Sequence, residues 1–307
     1  MKPKPLSKFG MARSGARLER VLAAFARAAK HPRDPETAHN LRVAMRRFQQ
    51  CLEMFDGLFV PKPVANLRKK LRKLMNLCGA KRDYDVGLEV LAQAGLPPHH
   101  SVAMKFRQRQ DSGSRALARH LAKRSSDEES DRWRKKLRTA KRMTGAWNWA
   151  AGVAENAKAA LPRLAGEFFA EGDRAVVSRG DHEILHEFRL KAKSFRYALE
   201  VFAPAYGAGL KSHLEELREL QDRIGQIHDC VVVLDLPEMD ALAIRAVTRL
   251  LVTRERSFIR FWSDTFSAKW RQAWIRFLEI PKVPKAAQSR RKSGKRIAQS
   301  KSICRYP

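Results

Sequence analysis

His39-Asn40-Leu41-Arg42-Val43-Ala44-Met45-Arg46-Arg47-Phe48 can be laid over His186-Glu187-Phe188-Arg189-Leu190-Lys191-Ala192-Lys193-Ser194-Phe195, from position 39 to position 186, an offset of 147. At about 100° per residue, His39, Arg42, Arg46 and Gln49 fall within an arc of roughly 80°, while Leu41, Ala44, Met45, Phe48, Leu52 and Phe55 cluster elsewhere. The second stretch repeats the division. His186, Arg189, Lys193 and Arg196 form a basic stripe, and Phe188, Ala192, Phe195, Leu199 and Phe202 form a packing side.

The match continues downstream. Leu71-x-x-Leu74 followed by Gly79-Ala80-Lys81-Arg82-Asp83 corresponds to Leu217-x-x-Leu220 followed by Gly225-Gln226-Ile227-His228-Asp229. Repeats of this length are built from whole supersecondary units. Apolar residues recur at helical spacing almost everywhere, so the class is all-α: two related helical units. Helices are expected over about 12–30, 35–57, 63–78, 83–93, 98–124, 131–142, 147–170, 181–203, 209–227, 229–235 and 238–278. Asp34-Pro35 supplies an N-cap and a proline at the first helical position. The expected organisation is a flexible segment 1–11, a domain 12–280 with repeats over about 12–145 and 146–280, and a disordered tail 281–307.

The 307 residues carry 62 Lys+Arg against 32 Asp+Glu, a formal charge of +30, with 44% hydrophobic residues. A core is therefore available, and the excess charge calls for an anionic partner. The tail from Pro281 onward holds nine basic residues and no acidic one, leaving +21 to residues 1–280. Most of the excess belongs to the part that folds. Cys51, Cys78, Cys230 and Cys304 form no Cys-x-x-Cys pair, which argues against a zinc ribbon or disulfide framework and fits a reducing cytoplasm. No apolar run is long enough to insert in a membrane.

Basic side chains one turn apart rise about 5.4 Å, a spacing that suits successive charges of a repeating anion. Arginine offers a planar fork and lysine a point charge, and a polyanion beside a histidine favours its protonated form. The ordinary alternative for a run of Lys and Arg is a solvated face. Recurrence of His, +3 and +7 in both units argues for the ligand-binding reading instead.

His39-x-x-Arg42-Val43-x-x-Arg46-Arg47, Gly79-x-x-Arg82-Asp83-x-Asp85-Val86 and His186-x-x-Arg189-x-x-x-Lys193-x-x-Arg196-Tyr197-x-x-Glu200 resemble the CHAD family, the conserved histidine α-helical domain, over roughly residues 12–278. The resemblance implies two pseudo-symmetric helical bundles enclosing a basic groove that binds inorganic polyphosphate, in a cytoplasmic bacterial protein associated with polyphosphate granules. It also implies His39, Arg42, Arg46, Arg47, His186, Arg189, Lys193 and Arg196 as anion ligands. Gln49 stands where the second unit has Arg196, and Ser194 stands opposite Arg47, so equal contributions from the two halves are not expected. Lys69, Lys70, Arg72, Lys73, Arg82, Arg218, Arg223 and His228 form a second tier. Glu215, Glu216 and Glu219 among them leave individual residues open to a purely structural role through i, i+4 pairing. Asp83 and Asp229 either cap helices or orient basic groups.

Other readings are weaker. His182 and His186 have a zinc-compatible i, i+4 spacing, but Arg189, Lys191 and Lys193 surround them with like charge, so no metal or other cofactor is expected. His99-His100 after Pro97-Pro98 reads as an exposed turn. Phosphate-loop and nucleophile-elbow signatures are missing, as is the Glu-x-Glu-x-Lys of the triphosphate tunnel enzymes that often accompany CHAD domains, so the chain is expected to be a stand-alone, non-enzymatic member. Non-specific nucleic-acid binding, aided by the basic tail, is the alternative function, and a metal-dependent phosphohydrolase using the His and Asp residues a more distant one. Oligomeric state is not encoded in any pattern found.

Overall fold

The computed structural model describes residues 5–31, 34–122, 127–139, 143–145 and 147–281. Among them there is no strand, and ten α-helices follow in order: α1 Leu6–Lys30, α2 Pro35–Met54, α3 Pro61–Gln93, α4 Ser101–Ala122, α5 Asp127–Thr139, α6 Val153–Val177, α7 His182–Phe202, α8 Lys211–Leu234, α9 Ala241–Thr265 and α10 Ala268–Glu279. The tail beyond Pro281, with Cys304, lies outside the described residues.

The helix starts follow from local chemistry. Asp34 accepts from the Glu36 amide at 2.9 Å with Pro35 at the first position of α2, and Asp181 accepts from the Glu183 and Ile184 amides at 3.0 Å to open α7. Each satisfies donors that a helix N-terminus leaves without partners.

Helices α1 to α5 build one bundle and α6 to α10 another. In the first, α1 packs on α2, α3 on α4 and α5 on α1; in the second, α6 packs on α7, α8 on α9 and α10 on α6. The bundles meet where α3 crosses α8 and α2 crosses α7. The expected packing faces are buried: Leu41, Met45, Phe48, Leu52 and Phe55 in α2 and its end, and Phe188, Ala192, Phe195, Leu199 and Phe202 in α7. Close packing at one point requires glycine, because a Cβ at Gly172 would fall 2.0 Å from the Trp262 ring.

Several expectations are corrected. The breaks predicted near Gly79 and Gly225 do not exist, since α3 and α8 run through them. Glycine costs a helix only about 1 kcal/mol, and buried Leu71, Leu74, Cys78, Val86 and Val90 keep helical register across the junction. Asp83 and Asp229 are therefore mid-helix residues and cap nothing. The long helix expected over 238–278 is divided, with Ser267 capping α10. Residues 5–11, expected to be flexible, are anchored: Leu6 is buried, and the Leu6 and Ser7 amides donate to the Ala151 and Trp149 carbonyls at 2.8 and 3.2 Å. His100 is a half-buried turn residue, its Nδ1 accepting from the Val102 amide and its Nε2 3.7 Å from Asp240. No described helix is long and apolar enough to cross a membrane.

Candidate functional site

Helical spacing puts Arg42 and Arg46 one turn apart on α2, and Arg189, Lys193 and Arg196 on successive turns of α7. Because α2 crosses α7 and α3 crosses α8, these stripes converge. They line one cleft of about 480 Å³, together with Arg82, Asp83 and Val86 of α3 and Gln221, Asp222, Gly225, Gln226, His228, Asp229 and Val232 of α8. The continuity of α3 and α8 is what brings Arg82 and His228 into it, because each helix extends beyond its glycine into the interface between the bundles.

Arg42, Arg46, Arg189 and Lys193 make no ion pair among the described residues, and the buried Nε atoms of Arg42 and Arg189 have no hydrogen-bond partner. Buried polar groups are normally satisfied, and these open donors, like those of Arg68 and Arg223 outside the cleft, are exceptions to that rule. Arg196 is already engaged: its Nε donates to Gln221 Oε1 at 2.6 Å and its Nη1 to Glu200.

The electrostatics record the crowding. Burial, followed by Arg189 and then Arg46 and Arg42 from the other bundle, drives the Lys193 ammonium down to about 7; Asp229 opposes this. Arg42 lies below its ordinary value through burial and Arg46, with Asp83 opposing. Arg189 is lowered by burial, supported by Asp229, and lowered again by Arg46 and Arg42. Asp83 is raised by burial, against the pull of Arg42 and His228. Asp83 and Asp229 cap no helix, and their carboxylates partly offset the charge of Arg42 and Arg189 respectively.

Both signature histidines sit in side pockets that open from the cleft. His39 shares a pocket of about 420 Å³ with Arg42 and Arg82, and with Glu36, Asp85 and Glu89. His186 shares one of about 220 Å³ with Arg189, His228 and Asp235, its ring stacked on His228 at 5.5 Å. Burial first, then neighbouring cations, lowers both imidazoles; those cations are Arg82, Arg46 and Arg42 for His39, and His228, Arg189 and Lys193 for His186. His182, the other half of the zinc-compatible pair, bonds to Glu255 at 2.9 Å.

The remaining candidates are not gathered in. Arg47 does not line the cleft and stands within electrostatic reach of Arg17 of α1. Lys69, Lys70, Arg72, Lys73 and Arg218 do not line it either. They lie on turns of α3 and α8 that precede the cleft-lining ones. Arg223 is turned to a separate hollow beside α9, lying over the Phe261 ring at 4.5 Å and donating to Ser257 Oγ and Glu219. Gln221, Asp222 and Gln226 were missed; of the three, only Gln221 shares a helical phase with His228, across the break expected at 228.

Residues 14–237 match the family model described as the CHAD domain. The chain is similar in fold to a crystal structure of the CHAD domain from the plant Ricinus communis, with 21% identity, a TM-score of 0.61 and coverage of 92% of this chain and 96% of that one. It is also similar to PptA from Streptomyces chartreusis, with 19% identity, a TM-score of 0.53 and coverage of 89% and 99% respectively. No curated protein matches.

Proposed function

Since the chain belongs to the CHAD domain family, we propose that it is a non-enzymatic protein that binds inorganic polyphosphate in the cleft between its two bundles, and that it associates with polyphosphate granules in the cytoplasm. One observation carries the reading: Arg42, Arg46, Arg189 and Lys193, from both bundles, face one cleft without ion-pair partners among the described residues. A phosphate chain presents charge-accepting oxygens at every link, and a guanidinium fork meets two of them at once. Asp83 and Asp229 offset the self-repulsion among these cations only in part, and a bound anion relieves it further.

The lining favours a bare phosphate chain over a nucleic acid. Apart from the His228 imidazole, already stacked on His186, Tyr197 is the one aromatic residue among the described lining residues, buried and covered by the Arg196 guanidinium at 4.8 Å. Single-strand binders stack bases on aromatic side chains, and no such platform is offered here.

The test is competition of long-chain polyphosphate against DNA and RNA of equal charge, for the wild type and an Arg42→Ala, Arg46→Ala, Arg189→Ala, Lys193→Ala variant. Polyphosphate is expected to win, and the variant to lose it. Undiminished binding by the variant would remove the cleft from consideration; preference for nucleic acid would replace the ligand. Release of phosphate on adding a divalent metal would make the protein an enzyme after all.

A further inference from the structure

Resting on the cleft as a polyphosphate site, we propose that Arg13, Arg17 and Arg20 of α1, with Arg47 of α2, carry the bound chain onward past the mouth of the cleft, on the first bundle's side alone.

The three α1 arginines are spaced i, i+4 and i+7, one face of a helix. The opposite face is fixed against the core, where Gly10, Ser14, Leu18, Val21 and Ala28 are buried. Ser14 Oγ lies 3.4 Å from Cys51 Sγ, which seats that turn of α1 on α2 one turn beyond Arg47. Arg13 then reaches α7, its Nη2 donating to the Glu200 carbonyl at 3.3 Å. The Glu200 carboxylate takes Arg196, and Arg196 lines the cleft; Arg46, beside Arg47 in sequence, lines it as well. The arginine group and the cleft are thus joined through α2 and α7.

Arg17, Arg20 and Arg47 make no ion pair among the described residues. Glu19, the one acidic residue of α1, is held by the Arg134 guanidinium through two bonds of 2.8 Å. The Nε of Arg13 is buried without a partner. Arg17 is depressed below its ordinary value by burial and then by Arg13, Arg47 and Arg20, with Glu200 opposing. Arg13 and Arg17 are half-buried and Arg20 and Arg47 exposed, and Arg13, Arg20 and Arg47 all stand within electrostatic reach of Arg17.

The corresponding face of the second bundle has been closed. Helix α6 begins and ends 147 positions after α1, from 6 to 153 and from 30 to 177, and Ala157, Leu161, Ala165, Phe168 and Ala175 are buried in step with the five α1 residues named above. In that register Arg13, Arg17 and Arg20 become Ala160, Leu164 and Glu167, and Arg47 becomes Ser194. Glu167 is itself taken up by Lys191 at 2.9 Å and by Arg163. A polyanion leaving the cleft meets open cations on one side and neutralised ones on the other.

The test compares tripolyphosphate, short enough to stay within the cleft, with long-chain polyphosphate. For an Arg17→Gln, Arg20→Gln, Arg47→Gln variant, tripolyphosphate binding should be unchanged. Long-chain affinity should fall about tenfold or more, and its salt dependence should shallow by about one unit of slope per arginine removed. The matching Arg→Lys variant should restore the slope. Unchanged long-chain binding, equal loss of both probes, or failure of the lysine variant to rescue would each overturn the proposal. Failure of the cleft reading is separately visible: the four-residue cleft variant would then keep binding tripolyphosphate.

Discussion

Val21 of α1 and Phe168 of α6 occupy matching buried positions in the two bundles, and they do different work. Around Phe168 the second bundle assembles a continuous aromatic cluster: Phe188 and Phe195 stack on it at 5.6 and 5.0 Å, and Trp262, Phe266 and Trp274 meet it edge-on. At Val21 the first bundle has an aliphatic side chain, and Phe55, further along the core, is met among the described aromatic rings by Phe9 edge-on and by Trp149 tilted. Charge diverges as well. Helix α1 carries six basic residues and one acidic, whereas α6 carries three basic and four acidic. The helical plan fixes which positions face inward; what fills them, and what covers the outside, has been free to change.

Four expected outcomes bear on that comparison. The largest concerns the cores. Phe168→Ala should destabilise the protein by about 3–5 kcal/mol, and Val21→Ala by about 1–3 kcal/mol, read from urea midpoints. Equal costs would break the contrast.

Next come the two walls of the cleft. Arg42→Ala with Arg46→Ala should weaken polyphosphate binding by about 2–4 kcal/mol at neutral pH. Arg189→Ala with Lys193→Ala should cost less there, because a Lys193 pKa of about 7 leaves the free protein's ammonium only partly charged. Titration calorimetry on both pairs decides, and a larger loss for the second pair would reverse the ranking.

Lys193 also sets a pH dependence. Its folded value of about 7 lies below the ordinary 10.5, so the unfolded chain holds more protons between those limits, and stability should rise with pH across that window. Bound polyphosphate favours the ammonium, so binding at about pH 8 should take up a proton, and affinity should fall as pH climbs. Calorimetry in buffers of different ionisation enthalpy measures the uptake, which Lys193→Met should reduce.

The smallest effect is a transplant. Glu167→Arg gives α6 the residue type that α1 has at Arg20, and should steepen the salt dependence of long-chain binding by up to about one unit. No change in slope would mean that the second side of the cleft is not approached by the chain.

The repeated His/Arg/Lys stripes and their packing faces were legible in the sequence because a helix ties spacing to facing direction. Arg42, Arg46, Arg189, Lys193 and Arg196 could be named on that basis, and all five line the cleft. Lys69, Lys70, Arg72 and Lys73 were named on charge, which carries no direction, and they do not line it. Breaks were expected at 79–82 and at 228 because local propensity is a weak signal, and buried neighbours on both sides overrode it.

Sequence by itself determined the all-α class, the cap at Asp34, and the basic and apolar sides of α2 and α7, since each depends on residues within a few turns of one another. Only the tertiary structure decided that the two stripes meet in one cleft, that Asp83 and Asp229 stand among arginines, and that Arg13 of α1 reaches α7. Those relations join residues far apart along the chain, and they are set by how the helices cross.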